Sequence, residues 1–183
     1  ATNSSVFTYV DLFAGCGGLS LGLHWAGFSR ISALERSLDA ARTYYNNLIC
    51  REKQDVWQRL VSSDSVQMSV GLIIGDIKSR IDDLIQSCKL RGPRVDLVVG
   101  GPPCQGYSLA GKRDPDDPRN DTVKYMIEAI RIIKPRIAMI ENVPAINSPL
   151  VSNGSHNSKI GNNETPLSNA IRQLELSNYA CTV

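Results

Sequence analysis

Several things are scarce in this chain of 183 residues, and each scarcity excludes something. No apolar run is long enough to span a bilayer. The opening Ala1 to Ser5 is small and polar, with no basic start and no apolar stretch behind it, so no secretory signal is expected. The first residue is Ala and not Met, which fits a processed or trimmed chain. There are only two histidines, His24 and His156, which argues against a histidine-rich metal site. The five cysteines, Cys16, Cys50, Cys88, Cys104 and Cys181, are scattered and contain no C-x-x-C pair. Neither a disulfide framework nor a zinc site follows from that pattern, and a reducing intracellular compartment is expected. A basic surplus is missing too. The net charge is +2, low for a chain that grips nucleic acid by itself. Either nucleic acid is not the partner or the main binding surface lies elsewhere.

What is present is an ordinary globular composition, 42% hydrophobic and 21% charged, in a chain long enough for one domain with a proper core. Apolar runs alternate with helical periodicity. Strands are expected at Thr8 to Phe13, Ile31 to Leu34, Val70 to Ile74, Val95 to Val99 and Ile137 to Ile140. Helices are expected where Leu19, Leu23 and Ala26, then Leu38 to Leu48, Ile81 to Cys88, Val123 to Ile133 and Leu167 to Leu174 repeat at helical spacing. Pro166 suits a first helical position and Asp121 a cap. Residues 50 to 69 read as a polar surface insertion with a short helix around Val56, Trp57 and Leu60, and Tyr179 to Val183 as a final strand. Strand followed by helix, five times over, implies an α/β fold. Its sheet is mostly parallel and Rossmann-like, with helices on both faces.

Three places carry chemistry. The first is the turn Ala14-Gly15-Cys16-Gly17-Gly18 between the first strand and its helix, with Glu35 at the end of the next strand. Glycines there let the backbone approach a ligand, and an acid about 20 residues on can bind a ribose diol. A tight packing turn with a solvated acid is the plain alternative. The second is Gly100-Gly101-Pro102-Pro103-Cys104-Gln105-Gly106, where glycines stop a buried strand and prolines fix the backbone before a cysteine. A thiol held at the carboxyl end of a strand is a candidate nucleophile, although a free cysteine also simply packs. The third is Glu141, directly behind the fifth strand. It lies beside Cys104 if the fourth and fifth strands are neighbours, and is otherwise a strand-end acid. Between these, Leu109 to Asn120 is a charged loop with Gly111, Pro115 and Pro118, placed as a lid would be. Ser152 to Thr165, rich in Asn, Ser and Gly, reads as another loop.

Taken in order, these segments resemble the C5-cytosine DNA methyltransferases. Asp11-Leu12-Phe13-Ala14-Gly15-Cys16-Gly17-Gly18 is similar to their cofactor-binding motif. Gly101-Pro102-Pro103-Cys104-Gln105 is similar to their catalytic motif, and Asp117-Pro118-Arg119-Asn120 to the end of their mobile loop. Glu141-Asn142-Val143 is similar to their E-N-V motif, and Gly75-Asp76-Ile77 to their adenine-binding corner.

The resemblance implies an S-adenosylmethionine-dependent enzyme acting on double-stranded DNA, with S-adenosylhomocysteine as product and no metal. It implies Cys104 as nucleophile and Glu141, partly buried, as its acid partner. Phe13, Gly15, Cys16, Gly17 and Gly18 would line the methionine and ribose part of the cofactor. Glu35 would hold the ribose, with Arg36 beside the adenine, where the family often has a bulky apolar residue. Asp76 and Ile77 would meet the adenine, and Gly101, Pro103 and Val123 would border the same pocket.

The family's Q-x-R-x-R motif, last strands, target-recognition domain and closing motif do not follow within these residues. Residues 1–183 are therefore expected to be the catalytic and cofactor-binding portion of a methyltransferase. That portion is expected to be incomplete at its C-terminus, inactive alone, and to need the later motifs, on the same or a second polypeptide. Three alternatives stay open: a non-catalytic or split subunit, an NAD-dependent enzyme with a nucleophilic cysteine, and an RNA cytosine methyltransferase. The expected location is cytoplasmic in a bacterium or nuclear in a eukaryote, with no membrane partner.

Overall fold

The computed structural model describes residues 6–50, 54–92, 94–103, 121–148 and 165–183. Five strands, β1 (Thr8–Leu12), β2 (Ser29–Glu35), β3 (Leu72–Ile74), β4 (Leu97–Gly100) and β5 (Ile137–Ile140), form one parallel sheet in the order β3-β2-β1-β4-β5. The helices are α1 (Gly18–Trp25), α2 (Leu38–Leu48), α3 (Gln54–Ser62), α4 (Asp64–Val70), α5 (Ile77–Arg91), α6 (Asp121–Ile133) and α7 (Pro166–Glu175). The α/β class with a parallel sheet is therefore present as expected.

The chain order reverses beside β1, so that β2 and β4 flank it. Parallel strands need long crossover connections, here carried by helices. In such sheets the crevice outside the carboxyl ends, at the point of reversal, is where ligands bind. Leu12 pairs with Gly100 there, which sets the glycine turn after β1 next to the end of β4. Only glycine fits at position 100, since a Cβ would stand 2.5 Å from the Leu12 carbonyl oxygen. At the opposite end, Asp96 locks the two strands. It accepts from the Thr8 N–H at 3.0 Å, and the Thr8 contacts hold its carboxyl below the usual range, with Arg94 and Arg136 adding to the effect.

The chain divides into two compact units. The first comprises residues 1–101 and 132–140 and contains the sheet; the second comprises 102–131 and 141–183. In the first, Ala14, Ala33, Ala41, Tyr44, Tyr45, Trp57, Leu60 and Leu72 form one buried cluster. A second cluster joins Tyr9, Leu97 and Val99 to Leu19, Leu23 and Phe28. In the second unit, α7 begins with Pro166 at its first turn and a reciprocal cap. Thr165 Oγ1 accepts from the Ser168 N–H at 3.0 Å, and the Thr165 N–H donates to Ser168 Oγ at 2.8 Å.

Three expectations need correction. Residues 54 to 70 are two helices, not a surface insertion. Their apolar stripe puts Trp57 and Leu60 into the core beside Tyr45, whose ring centroid lies 5.5 Å from that of Trp57. Val70 belongs to α4, and β3 starts only after Gly71, whose φ of +72° ends that helix. Tyr179 to Val183 is not a strand. A strand exists only with a hydrogen-bonding neighbour, and none of the described strands pairs with this segment.

Candidate functional site

The turn after β1 is built from unusual backbone. Phe13 sits at φ +57°, a left-handed conformation that bulky residues avoid, and Gly15 and Gly17 follow at +55° and +94°. Gly17 has no room for a side chain, because a Cβ would lie 2.4 Å from Leu48 Cδ1 and 2.9 Å from Tyr44 Cδ2. Gly17 caps α1, which begins at Gly18, while Cys16 is exposed at the apex.

Glu35 ends β2 and clasps this turn. Its Oε2 accepts from the Gly15 N–H at 2.7 Å and its Oε1 from the Ser37 N–H at 2.6 Å. A carboxylate has about four acceptor positions, so two remain for a ligand hydroxyl pair. The residues present thus fit a nucleoside whose ribose meets Glu35. Asp76 caps α5, its Oδ1 accepting from the Lys78 N–H at 3.0 Å, and its Oδ2 lies 3.7 Å from the Arg36 guanidinium. Both side chains of that pair are exposed, so the ion pair is weak and open to exchange for another partner. Ile77 is buried in the first turn of α5.

The segments after β4 and β5 meet as well. Gly100 pairs with Ile140, so β4 and β5 are neighbours and the chain leaves them at adjacent points, through Gly101 and Glu141. Within the second unit, Asn142 Nδ2 donates to the Pro102 carbonyl at 3.0 Å, and Thr122 Oγ1 donates to the Pro103 carbonyl at 3.2 Å. The Pro-Pro turn is therefore held by the E-N-V segment and by the first turn of α6. Val123 is buried there. Glu141, expected to be partly buried, is exposed. Cys104 and the segment Gln105 to Asn120 lie outside the described residues, as does the Asp121 side chain offered as a cap. Ser152 to Asn163 and Glu164 also lie outside them. Among the described residues, no three His, Cys, Asp or Glu side chains cluster as a metal would need, and no helix is long and apolar enough to cross a membrane.

A buried polar group under the glycine turn was not foreseen. Asp11, Ser20 and Tyr44 are all fully buried; Asp11 Oδ2 accepts from Ser20 Oγ at 2.6 Å, and Tyr44 OH lies 2.6 Å from the same Oγ. The available signal was an acid inside the apolar run Tyr9-Val10-Asp11-Leu12-Phe13.

The family model for C-5 cytosine-specific DNA methylase matches residues 7–160. The type II methyltransferase M.DdeI of Desulfomicrobium norvegicum is 36% identical over 140 residues, which is 76% of this chain and 28% of the relative. M1.HphI of Haemophilus parahaemolyticus is 34% identical over 139 residues, and the match covers 32% of its length. The chain thus spans about a third or less of these relatives, whereas the match covers 88% of M.HgiGI of Herpetosiphon aurantiacus, at 33% identity. A solved structure described as a proposed DNA modification methyltransferase of an E. coli prophage shares the fold. Its TM-score is 0.59 at 24% identity, covering 92% of this chain and 38% of that one.

Proposed function

Because the chain belongs to the C-5 cytosine-specific DNA methylase family, we propose that residues 1–183 form its catalytic and cofactor-binding portion, which methylates carbon 5 of a cytosine flipped out of double-stranded DNA through a covalent bond to Cys104. The observation that carries this reading is the hydrogen bond from Asn142 to the Pro102 carbonyl. It ties Asn142, next to Glu141 in the chain, to Pro102, two residues before Cys104.

Glu35 would hold the ribose of S-adenosylmethionine, the turn from Phe13 to Gly18 its methionine part, and Asp76, Ile77 and Arg36 its adenine. Gly101, Pro103 and Val123 are the further residues to which the resemblance gives a cofactor role. When bound, S-adenosylmethionine supplies an electrophilic methyl group for carbon 5. Carbon 5 of cytosine is a poor nucleophile until Cys104 adds to carbon 6. A carbon–sulfur bond then forms, the 5,6 double bond breaks, and carbon 5 becomes enamine-like. Glu141 stabilises the charge that builds on the ring by donating a hydrogen bond or proton to nitrogen 3. After methylation water takes the carbon 5 proton, the electrons of that C–H bond re-form the 5,6 double bond as the carbon–sulfur bond breaks and the Cys104 thiolate leaves, and the nitrogen 3 proton returns to Glu141. Flipping costs a few kcal/mol. Activity is expected only with the later motifs present, on the same or a second polypeptide.

The test is a covalent adduct on DNA containing 5-fluorocytosine, with the later motifs supplied. Fluorine cannot leave as a proton does, so the bond from Cys104 is trapped and migrates as a stable complex. Cys104→Ser should form none; an adduct in that variant refutes the assignment. An adduct on transfer RNA and not on duplex DNA would move the substrate to RNA.

The cofactor half is tested separately. Glu35→Ala should weaken S-adenosylhomocysteine binding by about 1.5 to 3 kcal/mol, the range for hydrogen bonds to a charged group. Asp76→Ala should cost less, about 0.5 to 1 kcal/mol, because that side chain is exposed. Titration calorimetry showing unchanged affinity in both would refute the pocket.

A further inference from the structure

Strands β2 and β3 end side by side, with Glu35 opposite Ile74, and the Gly75 N–H donates to the Glu35 carbonyl at 2.9 Å. The chain leaves the two strands through Arg36 and through Gly75 and Asp76. Neither backbone is free to turn away. Arg36 lies between Glu35 and Ser37, whose N–H is held by Glu35 Oε1 at 2.6 Å. Asp76 opens α5, its carbonyl accepting from the Arg80 N–H at 3.0 Å. The two side chains therefore meet at the mouth between the strands, where Arg36 Nη1 stands 3.7 Å from Asp76 Oδ2. The other carboxylate oxygen, Oδ1, accepts from the Lys78 N–H at 3.0 Å. The oxygen best placed for a ligand is thus the one turned to the guanidinium.

The charge of Arg36 is poorly placed for the fold. The residue directly precedes Ser37, the cap of α2, and its guanidinium reaches the cap of α5. Helix N-termini carry a partial positive charge and favour acids, not cations. Asp76 offsets this, but its side chain is 51% exposed and that of Arg36 75%, so the pair is weak, screened by salt and quick to exchange. Such a contact adds little to stability. It does decide what a donor arriving at Asp76 Oδ2 must displace. A bulky apolar residue, which the methyltransferase family often has after the ribose-binding acid, would leave that oxygen to the ligand.

We propose that Arg36 competes with the cofactor for Asp76: in the free protein the guanidinium occupies Asp76 Oδ2, and the exocyclic amino group of adenine binds there by exchanging with it. This rests on the assignment of adenine to Asp76 made above. A charged donor leaves the carboxylate and a neutral donor replaces it. The charge of Arg36 returns to water, farther from the two helix N-termini, which favours the exchange. The side chain stays beside the base, because its backbone is tethered between Glu35 and Ser37. Loss of the ion pair is then subtracted from the affinity that Asp76 confers, and Asp76→Ala costs less in this chain than it would beside an uncharged residue.

The experiment is a double-mutant cycle in the full chain, read by titration calorimetry with S-adenosylhomocysteine. Arg36→Met keeps a long side chain beside the base and removes the charge. It should tighten binding about threefold in about 0.01 M salt, within the range of exposed ion pairs. With Asp76→Ala already present, the same substitution should change affinity by less than about 1.5-fold. The gain should fade toward about 1 M salt, where the screening length is about 3 Å. Arg36→Lys, which keeps the charge, should stay near the affinity of the unchanged protein. Binding that Arg36→Met does not tighten, a gain of equal size in the Asp76→Ala chain, or a gain that survives high salt would each overturn the competition. Asp76→Ala that leaves affinity unchanged in the Arg36→Met chain would instead overturn the placing of adenine at Asp76, and the exchange with it.

Discussion

Gly17→Ala should lose about 3 kcal/mol of stability and bind S-adenosylhomocysteine at least about tenfold more weakly. Two costs combine at this position. Gly17 has a φ of +94°, where an alanine methyl group crowds the backbone, a cost of about 1 to 2 kcal/mol. The methyl group would also stand 2.4 Å from Leu48 Cδ1 and 2.9 Å from the Tyr44 ring, and such overpacking typically costs about 1 to 3 kcal/mol. The Leu48 methyl can swing aside, but the Tyr44 ring is fully buried with its hydroxyl 2.6 Å from Ser20 Oγ, so relief there requires shifting α2 or the turn, and the turn carries the proposed cofactor contacts. Neighbouring glycines provide the scale. Gly15→Ala meets open space but keeps a positive φ, so only the backbone cost of about 1 to 2 kcal/mol applies. Gly18→Ala meets open space in helical conformation and should be neutral or slightly stabilising. Denaturant melts of the three variants decide the matter: a Gly17→Ala protein as stable as Gly18→Ala would show that α2 does not press on the turn.

Trp57→Ala should destabilise the fold by about 3 to 5 kcal/mol, and the melting temperature should fall by roughly 10 °C. Trp57 is only 6% exposed and packs with Tyr45, Leu60 and Leu72 in the cluster on one side of the sheet. Removing the indole forfeits its transfer energy and leaves a cavity that α2 and β3 can only partly fill. Gln58→Ala, one residue on and exposed, should change stability by less than about 0.5 kcal/mol. Equal melting temperatures for the two variants would restore residues 54 to 70 to the status of a surface insertion.

Much of the architecture is local and was readable as such. Apolar runs of strand length, glycine and proline stops, and helical spacing determined where elements begin and end. Leu38 to Leu48 came out with both bounds correct because Ser37 caps the helix and Ala41 and Tyr45 share one buried face. The five motif segments likewise pointed to the family before any coordinates, since their chemistry is written in adjacent residues. Readings failed where the deciding partner is distant in sequence. Val56, Trp57, Leu60 and Val61 repeat at helical spacing, yet the polar residues among them hid that the stripe faces Tyr45. The segment Tyr179 to Val183 has strand-like residues, yet none of the described strands pairs with it.

From the sequence alone came the candidate segments: the glycine turn, Glu35, the Pro-Pro-Cys turn and Glu141. The tertiary structure decided which of them meet. The order β3-β2-β1-β4-β5 is a matter of crossover and burial, not of local pattern, and it puts Gly100 against both Leu12 and Ile140. It brings the Glu35 carboxylate to the Gly15 N–H and the Asn142 amide to the Pro102 carbonyl. It also buries Asp11 with Ser20 and Tyr44, residues whose spacing in the chain suggests no relation. A hydrogen bond in a dry interior is decided by what the fold excludes from water, and a linear pattern of residue types does not record that.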